Sequence, residues 1–546
     1  MSSTITVASA GIEESVWLIE INPDPLGVGD PRPSQMFMPS GAPLSAIDIQ
    51  QSAVVASVAT ISVSDRGWLQ EPGDTGTIEN YPPRLLEPPA IERFIPVYPG
   101  EGRRGQIEGG ELRIRNVDGA LDSIAGEWAI GGRRVKLIRA PHRRPNHAPR
   151  STWVEVASLR ASEAFQGTDT LRMPLRSAAA DLLGAANSLY AGTGGSEGST
   201  TLEGVGKPKI FGFVRNMQPV LIDGANRIYQ VNDGEVHEIV EVRDLGIPLT
   251  FHADVGSYAS LVTESPGTKK YATYKAGGYI KLHDDPVFLT ADVRGNTNGG
   301  YAPTASQVAA QILRVAGGVA SAVASNFSQW PNTEVGIIVR DGTAEDAMNK
   351  LAVGLGSVWW GSNTLGVFEG SAITAPEESP SLVIEPYMLL DSPQETSGST
   401  PPWWRIRVAY QEIEAVQEGS DISDSATAST KDFYSKKRRY AVATDVNTKI
   451  RYPLAVEGPE FPGVLESAAE AATLAETLLA IYKVPRRTWS VKIGPRAGGV
   501  NWWATPIGTS VRLKWPNIST LSGNGKSFLI RGISARGDYA ELELWG

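Results

Sequence analysis

The sequence predicts a mainly β protein with an α+β module, built from several small β-barrel or sandwich domains. Gly and Pro are abundant, 57 and 37 of 546 residues, which favours many turns. Short segments alternate apolar and polar residues, most clearly Trp403–Tyr410, where Ile406, Val408 and Tyr410 share one face. Between such segments, four stretches carry apolar residues at helical spacing. The length suggests three to five domains.

Composition excludes several functional classes. The formal net charge of −10 disfavours broad nucleic-acid binding. The absence of Cys excludes disulfides, thiol nucleophiles and Cys-ligated metal centres. The first residues lack the basic and apolar parts of a signal peptide, and no apolar run reaches the ~18 residues of a membrane span. We therefore expect a chain that folds in a cytoplasm, without cofactors.

The N-terminal part, residues 1–104, is predicted to contain strands and a Pro-rich arm. Alternation suggests a strand at residues 16–21. Residues 66–97 carry Pro at positions 72, 82, 83, 88, 89 and 96. Because Pro lacks an N–H group and fixes φ, we expect an extended arm that lies over other structure rather than inside a sheet.

Residues 105–200 predict a first β-barrel with a helix. Residues 111–117 alternate cleanly and end at Asp118-Gly119, a turn signal. Strands are expected at 133–139, 152–161 and 168–174. Residues 176–190 place Ala179, Leu182 and Leu183 at helical spacing, which predicts a helix. Residues 201–300 contain short strands at regular spacing, typical of a small barrel or sandwich.

Residues 301–375 predict an α+β helix-hairpin module. Helices are expected at 304–315 and 343–355, with Thr304 and Thr343 as N-caps and Asp346 completing a near capping box. A hairpin follows, with Trp359 and Trp360 in its first strand.

Residues 376–546 predict a second, closed tube-like barrel with one long helix at about 463–483. Expected strand pairs are 488–493 with 510–515, and 527–533 with 539–545. Small residues such as Ala472 and Ala475 lie on one face of the helix. This face suits packing on its own barrel and an interface role equally well.

Two strings resemble catalytic motifs. Gly194–Gly198 matches GxSxG, but a Gly/Ser-rich linker surrounds it where a nucleophile elbow needs a strand and a helix. Gly523–Ser527 resembles the end of a phosphate-binding loop, but Thr520 stands where the motif needs Gly. We interpret the first string as a linker and the second as a hairpin loop.

The five histidines do not form a recognisable metal site. His142 and His147 share a loop with Arg143 and Arg144, and a basic loop disfavours a metal cation. A solvated loop is the simpler interpretation, and contact with an acidic partner the alternative. The remaining histidines are His237, His252 and His283, the last beside an Asp284-Asp285 turn. We assign no catalytic, cofactor-binding or metal-binding residue.

Three adjacent Trp pairs occur, Trp359-Trp360, Trp403-Trp404 and Trp502-Trp503. Neighbouring side chains of a strand point to opposite faces, so each pair is expected to bury at most one ring in a core. The other ring is expected at a subunit or domain contact, where Trp is enriched, with solvent or a sugar ligand as alternatives.

The order of these modules resembles the tail hub proteins at the tip or baseplate of tailed bacteriophages. Four stretches carry the resemblance, within about residues 105–546. They are Asn116-Val117-Asp118-Gly119 through Gly131-Gly132-Arg133-Arg134-Val135; Gly206-Lys207-Pro208-Lys209 with Phe211-Gly212-Phe213-Val214; the helices and hairpin around Trp359-Trp360; and Arg405-Ile406-Arg407-Val408-Ala409-Tyr410 through Gly508-Thr509-Ser510-Val511 to Leu542-Glu543-Leu544-Trp545-Gly546.

The resemblance implies a homo-oligomer, a homotrimer whose subunits each give two tube-like barrels to a ring that closes the tail tube. Implied partners are the tail tube or distal tail protein, the tape measure protein and a central fibre or spike protein. The ring would sit in the virion at the tail tip and pass DNA without binding it specifically. The resemblance thus implies a structural protein rather than an enzyme. Two other interpretations stay open: a receptor-binding protein that uses exposed Trp on host glycans, and a cell-wall hydrolase.

Overall fold

The structure is a computed structural model of the chain. It describes residues 15–22, 61–69, 80–98, 105–122, 131–141, 153–177, 182, 184–297, 300–316, 327–361, 368–397, 400–494, 496–503, 505–536 and 539–546. Its strands form several sheets, joined by a few helices. The predicted fold class, mainly β with α+β, is confirmed.

The first large sheet has eight strands. In chain order the N-terminal strands are β1 Ser15–Asn22, β2 Ile61–Ser64, β3 Trp68–Leu69, β4 Asn80–Tyr81, β5 Leu85–Glu87, β6 Ile91–Phe94, β7 Gln106–Gly109, β8 Glu111–Arg115, β9 Arg134–Pro141, β10 Val154–Ala161, β11 Phe165–Gln166 and β12 Thr170–Arg176. The path is β2-β1-β9-β10-β12-β8-β5, with β11 on β12. Buried and exposed side chains alternate along β8, so Leu112 and Ile114, two positions apart, lie on the same inner face and are fully buried.

The Pro-rich arm differs from its prediction, because four of its segments, β3 to β6, belong to sheets. β5 pairs with β8 of the first sheet, and β6 pairs with β32 (Lys526–Arg536) near the C-terminal end of the sequence. The prolines lie outside β5 and β6, so none of them removes a donor from these strands. The arm therefore joins the first sheet to the last.

The predicted helix at 176–190 is wrong for residues 184–190. Ala185 makes a β-bridge to Thr343, and Leu189 makes one to Gly206. The Asn187 amide donates to the Arg340 carbonyl at 2.6 Å. This segment therefore bonds to neighbouring modules instead of to itself. Most of residues 178–183 lie outside the described part.

The middle β-module is a sandwich of two five-stranded sheets. Its elements are β13 Lys209–Met217, β14 Val220–Asp223, β15 Ile228–Gln230, β16 Val236–Asp244, β17 Ile247–Pro248, β18 Thr250–Asp254, α1 Tyr258–Thr263, β19 Lys270–Tyr274, β20 Tyr279–Leu282 and β21 Leu289–Asn296. One sheet runs β14-β15-β20-β19-β18; the other runs β17-β16-β21-β13 and ends on β22 (Gly336–Val339). Buried residues of both sheets, such as Val242 and Ile280, form one core.

The helix-hairpin module agrees closely with its prediction. It comprises α2 Ala305–Val315, β22, α3 Ala344–Gly354, β23 Ser357–Gly361 and β24 Phe368–Ala372. Thr304 and Thr343 are the N-caps, each in a capping box. The Asp346 N–H donates to Thr343 Oγ1 at 3.1 Å, and the Thr343 N–H donates back to Asp346 Oδ2 at 2.9 Å. Hydrogen bonds to Thr343 also lower the pKa of Asp346.

The C-terminal part contains the second eight-stranded sheet. Its elements are β25 Leu382–Ile384, β26 Gln394–Ser397, β27 Trp403–Tyr410, α4 Ala428–Tyr434, β28 Arg439–Thr444, α5 Val446–Arg451, β29 Val456–Leu465, α6 Ala468–Tyr482, β30 Thr488–Ile493, β31 Ser510–Leu513, β32 and β33 Tyr539–Trp545. The path is β25-β31-β32-β33-β30-β26, with β6 and β7 added on β32.

One prediction for this part is wrong in detail. β30 pairs with β33 rather than with β31, whereas the β32–β33 pair is confirmed. Closure of this sheet into a barrel stays a prediction, since β25 and β26 do not pair with each other in the described part of the chain. Sequence alternation identifies strands but leaves their partners undetermined.

The long helix α6 packs on a separate three-stranded sheet, β28-β27-β29. Its buried face includes Ala471, Ala475, Leu478 and Tyr482, whereas Ala472 of the predicted stripe is exposed. The predicted stripe is therefore wrong at Ala472 and confirmed at Ala475. The buried face covers Ile406 and Val408 of β27, in the same core as both large sheets.

An ion pair links the middle sandwich to the start of α6. Arg215 Nε of β13 lies 2.6 Å from Glu466 Oε2, whose side chain is only 10% exposed. Burial raises the pKa of Glu466 to about 6, against the opposing effect of Arg215; Glu334 and Asp292 raise it further. The folded protein therefore holds a proton at Glu466 more tightly than the unfolded chain does.

We predict that Ile91→Ala destabilises the protein by about 2–5 kcal/mol, because Ile91 of β6 is 1% exposed in the shared core and its loss leaves a cavity. Glu92→Ala, on the exposed face of the same strand, should cost less than about 0.5 kcal/mol. Chemical denaturation measures both. Equal effects of the two substitutions would show that β6 does not hold the sheets together.

We also predict a pH effect at Glu466. Between about pH 4.5 and 6 the unfolded chain loses this proton before the folded one does, so Glu466 lowers stability by about 2 kcal/mol as the pH rises through this window. Glu466→Gln should remove that decline, whereas Glu476→Gln, at an exposed position of α6, should keep it. Denaturation at several pH values compares the three proteins; the same slope in all of them would contradict the assignment.

Candidate functional site

The GxSxG string does not form a nucleophile elbow. Ser196 lies in a 3₁₀ turn, Gly195–Glu197, which is followed by a second short turn rather than by a long helix. The Glu197 carboxylate accepts from Lys207 Nζ at 2.8 Å, and this contact lowers the pKa of Glu197. Burial raises the pKa of the neighbouring Tyr279 to about 12, so its phenol stays protonated at neutral pH. Tyr279 therefore does not supply the base that Ser196 would need.

The three described histidines each contact a different residue, and Ser196 is not among these residues. His237 stacks on Tyr301 with 4.4 Å between ring centroids. His252 lies 3.2 Å from Glu264, and His283 lies 3.9 Å from Asp284. His142 and His147 lie outside the described residues. The Asp284-Asp285 turn is structural, since Asp284 accepts from the Lys269 N–H and Asp285 from Arg227.

The Gly523–Ser527 string is the hairpin loop that we predicted, because it joins β31 to β32, which pair with each other. Lys526 Nζ donates to the Gly546 carbonyl at 3.2 Å instead of pointing into an anion site. Within the described residues no group of three or more His, Asp or Glu side chains could hold a metal ion. No helix in the described part is both long and apolar enough to span a membrane.

The prediction for the Trp pairs is wrong in two of the three cases. Trp359 and Trp360 are both buried, because β23 has structure on both of its faces. Trp359 donates to Asn349 of α3 at 3.0 Å, and Trp360 donates to Glu369 of β24 at 3.1 Å. Trp502 and Trp503 are also buried, and they lie in a turn, where strand alternation does not apply.

The remaining pair behaves as expected, since Trp403 is buried and Trp404 is half-buried beneath Lys449. Every Trp whose burial the structure describes is buried or half-buried. The glycan interpretation depended on exposed rings, so the described part gives it no support.

The strongest candidate for a functional surface is the sheet β28-β27-β29. Among the described residues β28 pairs only with β27, so its outer edge is open, whereas Leu465 of β29 makes a β-bridge to Val335 of the helix-hairpin module. β29 contains Pro459 and Pro462, which cannot donate along its edge. β28 contains no Pro, and its outward side chains Tyr440 and Val442 are exposed. An unprotected edge of this kind readily pairs with another chain.

An exposed apolar tip lies beside this sheet, on α5 and the turn that leads into β29. It consists of Val446, Ile450, Leu454 and Val456, of which Ile450 is 75% and Leu454 is 81% exposed. Single exposed apolar residues are common, but a group of them marks an interaction surface. The tip and the β28 edge together form the candidate interface.

Ion pairs fix the outer face of the same sheet. Arg438 Nη1 lies 2.6 Å from Glu460 Oε1, and Tyr440 Oη donates to the same oxygen at 2.9 Å. Both contacts lower the pKa of Glu460, against the opposing effect of burial. This face therefore presents a preset pattern of paired charges around Tyr440. Such a pattern suits recognition of a protein surface.

Sequence reasoning missed the apolar tip. Residues 446–456 have no clean period, so we did not single them out as an element or as a surface. The available signal was the occurrence of Val446, Ile450 and Leu454 at four-residue spacing beside polar neighbours, in a segment too short to be a core helix.

No family model matches this chain, and no curated protein sequence matches it. Solved structures do resemble it. A tail protein from Neisseria meningitidis MC58 covers 87% of this chain and 94% of its own, at 10% identity and a TM-score of 0.40. The virion of a native gene transfer agent particle contains a chain whose match covers 63% of this chain and 84% of the other, at 15% identity and a TM-score of 0.40. The match to the 43 kDa tail protein of prophage MuSo2 from Shewanella oneidensis covers 86% of this chain and 96% of that protein, at 10% identity and a TM-score of 0.31.

These solved proteins are tail and virion proteins, the class to which the sequence resemblance points.

Proposed function

We propose that this chain is a structural virion protein, a tail-tip or baseplate hub whose copies close the tail tube as a ring. In this proposal the ring connects the tube to a fibre or spike protein and lets DNA pass during ejection. The role requires no catalytic step, in keeping with the unsupported Ser196 and the dispersed histidines. Assembly takes place in the host cytoplasm, and the final location is the virion.

The observation that carries the proposal is the open edge of β28 with the apolar tip beside it. In a closed ring each copy meets a neighbour on either side, so an exposed surface of one copy is covered by the next copy. The neighbour would then supply the hydrogen-bond partners that the outer edge of β28 lacks within the subunit.

The proposal also assigns a position to each module of the subunit. The two large sheets take the place of the tube-like barrels of residues 105–200 and 376–546. The sandwich of residues 201–300 and the helix-hairpin module of residues 301–375 lie outside the ring. Residues 1–104 brace it, because β5 and β6 pair with both large sheets. A homotrimer gives a pseudo-sixfold ring that matches a hexameric tube.

We predict that Ile450→Asp and Leu454→Asp block assembly while the subunit stays folded. Both side chains are largely exposed in the subunit, so a charge costs little there but is costly when an interface buries it. Val287→Asp is the matched control, because Val287 is also 75% exposed but lies in the middle sandwich module. Mass photometry at several concentrations should show oligomers for the wild type and the control, and a dissociation constant raised at least about a hundredfold for the tip variants.

Circular dichroism of each variant verifies that the fold is kept. If all four proteins have the same oligomeric state, the tip is not an interface and the proposal loses its main support.

A further inference from the structure

The second large sheet ends in a strand edge that is open like the edge of β28. β26 is the last strand of that sheet, and among the described residues it pairs only with β30. All four of its residues are exposed, and none of them is Pro. The outer row of N–H and C=O groups of β26 therefore has no strand partner within the described part of the chain.

Two exposed apolar side chains adjoin this edge. The Leu390 N–H donates to the Lys492 carbonyl of β30 at 2.9 Å, so the chain already follows β30 before β26 begins. Leu390 is 59% exposed. Tyr387 lies in the turn Pro386–Met388 just before it and is 78% exposed. We call Tyr387 and Leu390 the apolar ridge.

The two open edges carry their apolar groups at opposite ends. The apolar tip follows Thr444, the last residue of β28, whereas the apolar ridge precedes Gln394, the first residue of β26. An antiparallel pair places the last residue of one strand opposite the first residue of the other. Antiparallel pairing of β28 with β26 of a second copy would therefore bring the tip against the ridge. Parallel pairing would separate them and is also slightly less stable.

The charges beside the two surfaces permit this contact. Lys449 and Arg451 are exposed beside the tip, and they form no ion pair with the described residues. The carboxylates beside the ridge are balanced by ion pairs: Asp391 with Lys492, Glu395 with Arg487, and Glu385 with Lys514. The ridge is therefore close to neutral, and it neither attracts nor repels the two cations strongly. Burial of apolar side chains provides the free energy of the contact.

We propose that β28 and the apolar tip of one copy bind β26 and the apolar ridge of the next copy, as an antiparallel strand pair. The two surfaces differ, so the contact is heterologous, the type that generates a ring when the rotation closes. The inference rests on the proposed function and adds to it the surface of the neighbour that covers the tip. β18 also ends a sheet and exposes Phe251, but the proposed function places its sandwich outside the ring.

Cross-linking tests the contact, and the absence of Cys from the chain makes it specific. Full-length Leu390→Cys is mixed with full-length Ile450→Cys, and a short bis-maleimide cross-linker is added, which tolerates more spacing than a disulfide does. The mixture should give at least about tenfold more cross-linked dimer than either variant alone, because only the mixture brings two cysteines together at the contact. Phe251→Cys mixed with Ile450→Cys is the matched control and should give as little as the single variants, although Phe251 is also exposed.

Hydrogen exchange tests the strand pair. Amides of residues 394–397 and 439–444 should exchange more slowly in the assembled wild type than in the unassembled Ile450→Asp variant. Amides of β18 should exchange equally in both proteins. Equal exchange at residues 394–397 in the two proteins would overturn the strand pair.

Native mass spectrometry of the same samples separates failure of this inference from failure of the proposed function. Trimers without a cross-link between positions 390 and 450 overturn the inference and leave the proposed ring intact. Monomers at every concentration overturn both. Equal cross-linking in the mixture that contains Phe251→Cys also overturns the inference, because it reflects chance collision.

Discussion

Every strand at the end of a sheet leaves one row of backbone N–H and C=O groups without a strand partner. The structure of this chain depends on which segments pair with these edge strands. Inside the subunit, the N-terminal arm covers two of them. β5 extends the first large sheet, and β6 pairs with β32 of the last. Segments separated by more than 400 residues in sequence thereby share one core. At β28 no such cover exists within the described part, and there we place the contact between copies.

Polar contacts hold the sandwich against the C-terminal part. A buried ion pair within the sandwich lies at this boundary: Arg243 is 3% and Asp292 is 6% exposed, and Arg243 donates to both carboxylate oxygens of Asp292. The Arg243 guanidinium also lies 5.1 Å from the ring centroid of Tyr434 of α4, and the Asn216 amide donates to the Ala415 carbonyl at 2.7 Å. A buried pair of this kind is costly to break by removing one partner, so it fixes Arg243 in its position beside Tyr434.

Sequence reasoning predicted the local structure best where one residue decides the outcome. Thr304 and Thr343 start their helices, and the alternation of Trp403–Tyr410 predicts β27. It failed where distant contacts decide. The segment that contains Asn187 has helical spacing but bonds to Arg340, and β30 pairs with β33 instead of β31. Trp360 is buried because of module packing that period-two alternation does not reveal. Of the candidate interface, only the strand β27 was predictable.

The central claim is that copies of this chain complete one another's sheets around a common axis. Native mass spectrometry of the purified full-length chain tests it most directly. The account predicts a species of three chains of 58.4 kDa each, in exchange with the monomer at low concentration. A single 58.4 kDa species at every concentration at which the protein stays soluble would contradict it.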